Sequence, residues 1–159
     1  MVIRKAQLQD IEAIEAIYER ARAYMKSTGN PDQWGAAYPS RNLILSDIEK
    51  GELYGLYGEV LEGVFVLTEG KDSTYDRIDG EWLNSLPYRA VHRVASAGRI
   101  KGFLSTIMDY CFSHTDNVKI DTHDDNVVMQ KALEKYGFQR CGIIYLANGD
   151  PRIAYQMHK

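Results

Sequence analysis

Between Tyr88 and His123 the hydrophobic period changes twice, and this double change restricts the fold more than any other feature of the chain. "YRAVHRVAS" alternates as a strand. "AGRIKG" interrupts it with Gly98 and Gly102, and a helix follows in which Leu104, Ile107, Met108, Cys111 and Phe112 share one face. "NVKIDTH" is a strand again. A strand, a crossover helix and a second strand form a parallel βαβ unit. Upstream, "ELYGLYG" and "EGVFVLTEG" are separated only by a short turn near Glu59 and Val60, so they pair antiparallel. One mixed sheet must hold both kinds of pairing.

The other elements complete the order. "VIRKA" is a short first strand, and Leu8, Ile11, Ile14, Ile17, Ala21 and Met25 recur at helical spacing before Gly29 and Pro31. Ser40 caps a second helix that runs to Lys50 and stops at Gly51. Residues 70–87 are a polar connection with a short helical turn expected near Trp82. "DDNVVMQKALEKYGF" is a helix that opens on acidic residues and ends at Gly137. "CGIIYL" and "RIAYQM" are strands joined by "ANGDP", whose Asn148-Gly149 pair signals a hairpin. The predicted fold is α/β, a single domain over residues 1–159 in the order β-α-α-β-β-β-α-β-α-β-β, and 159 residues suffice for one core.

A net charge of −3 argues against a nucleic-acid or anionic-membrane partner, because neither polyanion is attracted without a concentrated basic face. The opening "MVIRKAQLQD" lacks the apolar core of a signal peptide, and no apolar stretch approaches the roughly 20 residues that cross a bilayer. A cytoplasmic location is expected. Cys111 and Cys141 form no CxxC pair and read as reduced structural thiols.

The glycine loop permits two readings. It is either a plain corner between strand and helix, or a cradle in which unpaired N–H groups at a helix start converge on an anion. Ligands of mixed α/β sheets tend to sit at the carboxyl ends of strands beside a break in the pattern, and this loop occupies such an end.

The element order, "RIKGFL" and "NVVMQKALEKYGF" together resemble the GNAT acyltransferase superfamily over essentially the whole chain. The family pattern Q/R-x-x-G-x-G/A is matched by Arg99, Ile100, Lys101 and Gly102, whereas its final G/A position holds Leu104. Asn126 and the helix ending in Lys135, Gly137 and Phe138 match a second family signature. "DQWGAAYP", "EWLN", "HRVAS" and "IDTHDDN" are similar to one bacterial branch of the superfamily.

The resemblance implies acetyl-coenzyme A as co-substrate and a mixed sheet with helices on both faces. Backbone N–H groups of Arg99, Ile100, Lys101, Gly102, Phe103 and Leu104 would hold the diphosphate, with added charge from Arg99 and Lys101. The backbones of Val94, Ala95 and Ser96 would bond the pantetheine arm, Asn126 would contact it, and an N–H near Ala95 would receive the oxyanion. Acyl transfer to an amine also needs a base. His92 is the first candidate and His123, on the neighbouring strand, the second, each weighed against an inert structural histidine. The acid position that many members fill with tyrosine holds Leu133, so no residue is assigned to protonate the thiolate. The loop between the first two helices would form one wall of the acceptor pocket, with Trp34 and Tyr38 packing on the acceptor and Asp32 attracting its ammonium group. Asp72, Thr74, Tyr75 and Trp82 belong to the opposite wall. "DTHDD" has no second ligand group at site-like spacing, so no metal is expected.

The function implied is direct acyl transfer from coenzyme A to a primary amine of a small molecule or peptide in a ternary complex. A coenzyme A-binding module without catalysis is the alternative, motivated by Leu104 and Leu133. Family habit makes a homodimer plausible, and the identity of the acceptor is open.

Overall fold

The computed structural model describes every residue from Met1 to Lys159. Its elements are β1 (Val2–Lys5), α1 (Ile11–Ser27), α2 (Arg41–Glu49), β2 (Leu53–Tyr57), β3 (Leu61–Leu67), β4 (Asp79–Gly80), β5 (Arg89–Ser96), α3 (Phe103–Phe112), β6 (Asn117–Thr122), α4 (Val127–Tyr136), β7 (Gln139–Tyr145) and β8 (Pro151–His158). The strands form one sheet in the order β1-β2-β3-β5-β6-β8-β7-β4. Only β5 and β6 run parallel. The element order is the one expected, with the two-residue β4 added.

Alternation within the strands builds a core on each face. Tyr54, Leu56, Phe65, Leu67 and Val91 point toward Ile107, Met108 and Cys111 of α3 and Leu133 of α4. Leu53, Val64, Val66 and Ala95 point the other way, onto Ile14, Ile17 and Tyr18 of α1 and Ile44 of α2. Every residue of β3 is buried, as a central strand covered on both faces must be. Ser40 caps α2 as expected, its Oγ accepting the Leu43 N–H at 3.2 Å. No helix is long and apolar enough to cross a membrane.

The connection between β3 and β5 covers the rest of the α1 face. Its helical turn is Ser73–Tyr75 rather than a turn at Trp82, because Asp72 supplies the cap, its Oδ1 accepting the Thr74 N–H at 2.9 Å. Trp82 instead stands over the buried Lys119 at 4.1 Å, with Tyr88 against the same ammonium at 4.0 Å. Two fully buried amides anchor the connection further. Gln156 accepts the Leu83 N–H at 2.9 Å, and Asn117 donates to the Pro87 carbonyl at 3.0 Å.

Candidate active site

The parallel pair opens almost at once. β5 and β6 are paired from Arg89–Val118 to Val91–Ile120, and beyond Val91 β5 keeps only its other neighbour, β3. A bulge lies at the opening, where Arg93 and Val94 stand opposite the single residue Phe65. Arg93 takes φ +48, a left-handed conformation that costs a non-glycine residue about 1–3 kcal/mol. Its neighbours hold it there. Its guanidinium grips Asp47, which is 2% exposed, through Nε–Oδ2 at 2.7 Å and Nη2–Oδ1 at 2.9 Å, and donates from Nη1 to the Tyr38 hydroxyl at 3.1 Å. The buried Tyr18 hydroxyl donates to the Arg93 carbonyl at 3.0 Å. Burial opposes the charge on Arg93, but the Asp47 hydrogen bond outweighs it and leaves the guanidinium firmly protonated.

A cleft of about 940 Å³ occupies the opening. Its wall includes Val91 and Ile120, whose side chains belong to the α3 core, and also His92 and Asp121 on the α1 face, so it passes between the strands. Trp34, Tyr38 and Asp32 line it, as do Asp72 and Thr74 from the opposite connection. Trp34 is wedged edge-on between Tyr18 at 5.6 Å and Tyr38 at 6.0 Å, which fixes the loop wall.

His92 is half-buried in this cleft, and its Nε2 lies 2.7 Å from Asp72 Oδ2. Asp72 also accepts from the Thr74 N–H at 2.9 Å and the Thr74 hydroxyl at 2.6 Å. The His92 bond, joined by those from Thr74, holds the Asp72 carboxyl well below the usual range against the opposing effect of burial. An ionised carboxylate on Nε2 selects the tautomer with its proton there. The lone pair is then on Nδ1, available as a base.

His123 is placed differently. It is absent from the cleft wall, and its Nδ1 accepts the Asp125 N–H at 2.9 Å, stabilising the turn before α4. The Asp125 N–H thus occupies Nδ1 of His123, whereas no hydrogen bond engages Nδ1 of His92.

At the carboxyl end of β5 the glycine loop leads into α3. None of the N–H groups from Arg99 to Ser105 donates to a backbone carbonyl, and Gly98 is satisfied locally by Ser96 Oγ at 2.9 Å. This is a run of free donors at a helix start. Gly102 has φ +70, and a Cβ there would meet nothing within 4 Å, so the glycine is required by conformation while the space outside it is open. Phe103 turns inward over Gly63, where a Cβ would sit 2.3 Å from the ring. Leu104 is half-buried against the α3 core, so the bulky residue at the family's G/A position packs inward as well as outward. Of the two cations, Lys101 is exposed, whereas Arg99 turns back to β3 and pairs with Glu62 at 3.0 Å. Ile100 and Lys101 line a second cavity of about 340 Å³ on the outer side of the loop.

Val94 lines the cleft, and Ala95 is buried under α1. The Ser96 carbonyl accepts from Arg20 at 3.1 Å. Asn126 caps α4 by accepting the Met129 N–H at 3.0 Å and donates from Nδ2 to Gln33 Oε1 at 3.0 Å. Leu133 is fully buried in the α3 core, and Tyr136 one turn later bonds Asp109 at 2.7 Å, so neither side chain faces the cleft.

Sequence reasoning missed several residues of this site. Gln33 gathers Asn30, Asn126 and Thr122 on one oxygen, at 2.9, 3.0 and 3.4 Å. The Asp47–Arg93 clamp and the role of Asp72 as partner of His92 span 46 and 20 residues, and no local pattern marks either. The bulge carries no glycine to announce it.

A GNAT-family acetyltransferase from Streptococcus agalactiae 2603 is 33% identical, with 99% of this chain and 95% of that one aligned and a TM-score of 0.89. A GNAT-family acetyltransferase from Listeria monocytogenes 4b F2365 is 22% identical over 99% of this chain and 94% of its own, TM-score 0.71. A Salmonella typhimurium protein solved with its cofactor acetyl-CoA shares the fold at 14% identity, over 99% of this chain and 92% of its own, TM-score 0.62. No protein-family model and no curated protein matches the chain.

Proposed function

The chain belongs to the GNAT family of acetyltransferases, and we propose that it carries acetyl from acetyl-coenzyme A directly to a primary amine within a ternary complex. The observation that carries this reading is the run of free N–H groups from Arg99 to Ser105 at the end of a strand that has parted from its neighbour. Several fixed donors at a helix N-terminus suit a diphosphate, and Lys101 adds charge beside them. The open edge of β5 from Val94 to Ser96 offers its backbone to the pantetheine arm.

In this reading a backbone N–H near Ala95 receives the oxyanion of the thioester carbonyl, because a fixed dipole stabilises it without reorganising. His92 Nδ1 takes the proton of the attacking amine while Asp72 steadies the imidazolium. A C–N bond forms, the C–S bond breaks, and the sulfur leaves as thiolate. A thiol of ordinary pKa, about 8.5, leaves without a dedicated acid, consistent with Leu133 lying in the core. Trp34, Tyr38 and Asp32 form the acceptor's wall, and the Asn126 cap positions the start of α4 against the arm.

The His92–Asp72 pair supports an enzyme over a binding module. An amine panel with acetyl-coenzyme A, followed by thiol release, tests this: acetyl transfer in the wild type should fall by about 10²–10⁴-fold in His92→Ala. Thiol release that His92→Ala leaves unchanged would favour the binding module.

A further inference from the structure

Arg152 is the most buried arginine of the chain, 6% exposed, and it belongs to none of the molecule's ion pairs. It lines the large cleft. Its guanidinium donates to two backbone carbonyls, Pro151 at 2.8 Å and Gln33 at 3.2 Å, which occupies two of the five N–H donors the group carries. A buried charge without a counter-ion is costly, and the other buried cation avoids that cost differently. Lys119 lies between the rings of Trp82 and Tyr88, and burial lowers its pKa. Arg152 has neither an aromatic cage nor a carboxylate.

Strand register sets where this charge lies relative to the base. Ala154 pairs with Asp121 across β8 and β6, and Ala154 shares a cluster with Ala90 and Tyr75. Arg152 is two residues from Ala154, and His92 is two from Ala90, so both side chains rise from the same face of the sheet. Two strand spacings, roughly 10 Å, separate their strands. Asp121 stands between them with its carboxylate occupied by the Tyr75 hydroxyl at 2.6 Å, and two further acids of the cleft, Asp150 on the hairpin and Asp32 beside Gln33, are exposed and form no ion pair with Arg152.

We propose that Arg152 binds a carboxylate of the acceptor, so that the substrate is a small amine that also bears a carboxylate, of the amino-acid type. The inference rests on the acetyl-transfer reading above. The amine end approaches His92 and the acidic groups beside it, while the carboxylate supplies the counter-ion that the chain does not. The planar fork of arginine suits bidentate capture of a carboxylate, which a lysine at the same place does not reproduce.

The test compares matched acceptors on the wild-type enzyme: a panel of free amino acids against the corresponding amino-acid amides, with acetyl-coenzyme A and thiol release as readout. The expected result is a preference for the free acids of about 10-fold to 100-fold in kcat/KM, the range of a charge-assisted pair. Arg152→Lys should remove most of that preference, lowering the rates with free acids far more than the rates with amides, with thermal melting and acetyl-coenzyme A titration verifying its fold. Equal use of acids and amides by the wild type overturns the carboxylate site while sparing the acetyl-transfer reading. Equal losses on both sets in Arg152→Lys overturn it too. If neither set is acetylated although acetyl-coenzyme A binds, the carboxylate site is overturned, and the wider amine panel decides the acetyl-transfer reading separately.

Discussion

Asp47 of α2 and Arg93 of β5, 46 residues apart, join through two hydrogen bonds of 2.7 and 2.9 Å in the wall of the cleft. Arg93 is the only non-glycine residue with positive φ, and Asp47 is almost fully buried. Packing and charge thus hold the backbone in a conformation its own sequence disfavours. Removing one partner of a buried pair leaves the other uncompensated, so Asp47→Asn should lower stability by about 3–5 kcal/mol in urea unfolding. Turnover at saturating acetyl-coenzyme A should fall as well, if the proposed oxyanion N–H near Ala95 depends on the bulge that Arg93 forms. A variant with normal stability and normal turnover would show that the clamp is incidental.

His92 and Asp72 act as a unit. Asp72→Asn should reduce kcat less than His92→Ala, because the imidazole survives but loses its tautomeric bias. The pair also makes a thermodynamic prediction. The folded-state pKa of Asp72 is depressed below its unfolded value, so its contribution to stability is complete above the ordinary carboxylate range, near pH 4, and is lost as pH falls below it. Stability measured from pH 6 down to pH 3 should therefore decline less steeply in Asp72→Asn than in the wild type. Parallel curves would contradict the assignment.

The position that many family members give to a tyrosine acid is closed here. Leu133 is 0% exposed, so Leu133→Tyr should overpack the core, costing about 1–3 kcal/mol, without speeding turnover. Leu133→Ala should cost about 2–5 kcal/mol. A faster Leu133→Tyr enzyme would mean that the ring reaches the leaving thiolate after all.

Neither cysteine is a nucleophile in this account. Burial pushes the Cys111 thiol up to about 12, and the half-buried Cys141 thiol is raised as well. Alkylation by iodoacetamide at pH 8 should be slow for Cys111 in the folded protein and rapid in denaturant, and Cys111→Ala should keep its activity. Rapid modification of Cys111 with loss of activity would require a different mechanism.

Local signals carried most of the fold. The alternation in β5, the stripe of Ile11, Ile14 and Ile17, the Ser40 cap and the Asn148-Gly149 turn each depend on neighbours in the chain, and each element formed where its pattern lies. The exception is instructive. Trp82 resembled the centre of a helical turn, but a buried lysine elsewhere recruited its ring, and the turn formed where Asp72 supplied a cap. The candidate site was legible at His92 and Trp34, which line one cleft, and at Gly102, whose positive φ the loop requires. It was illegible at Gln33, Asp47 and Arg152, because their significance comes from partners 20 or more residues away and, for Arg152, from the partner it lacks. His123 had the right residue type and strand position, yet the Asp125 amide claims its nitrogen.

The central claim is that the amides from Arg99 to Ser105 form a phosphate cradle, and calorimetric titration of acetyl-coenzyme A tests it most directly. Wild type and Gly102→Glu should be titrated side by side, with circular dichroism confirming that both are folded. The account predicts that the wild type binds and that the variant, with a carboxylate at the open mouth of the cradle, binds at least about 100-fold more weakly. Equal affinity in the two proteins, or no binding by the wild type, would contradict it.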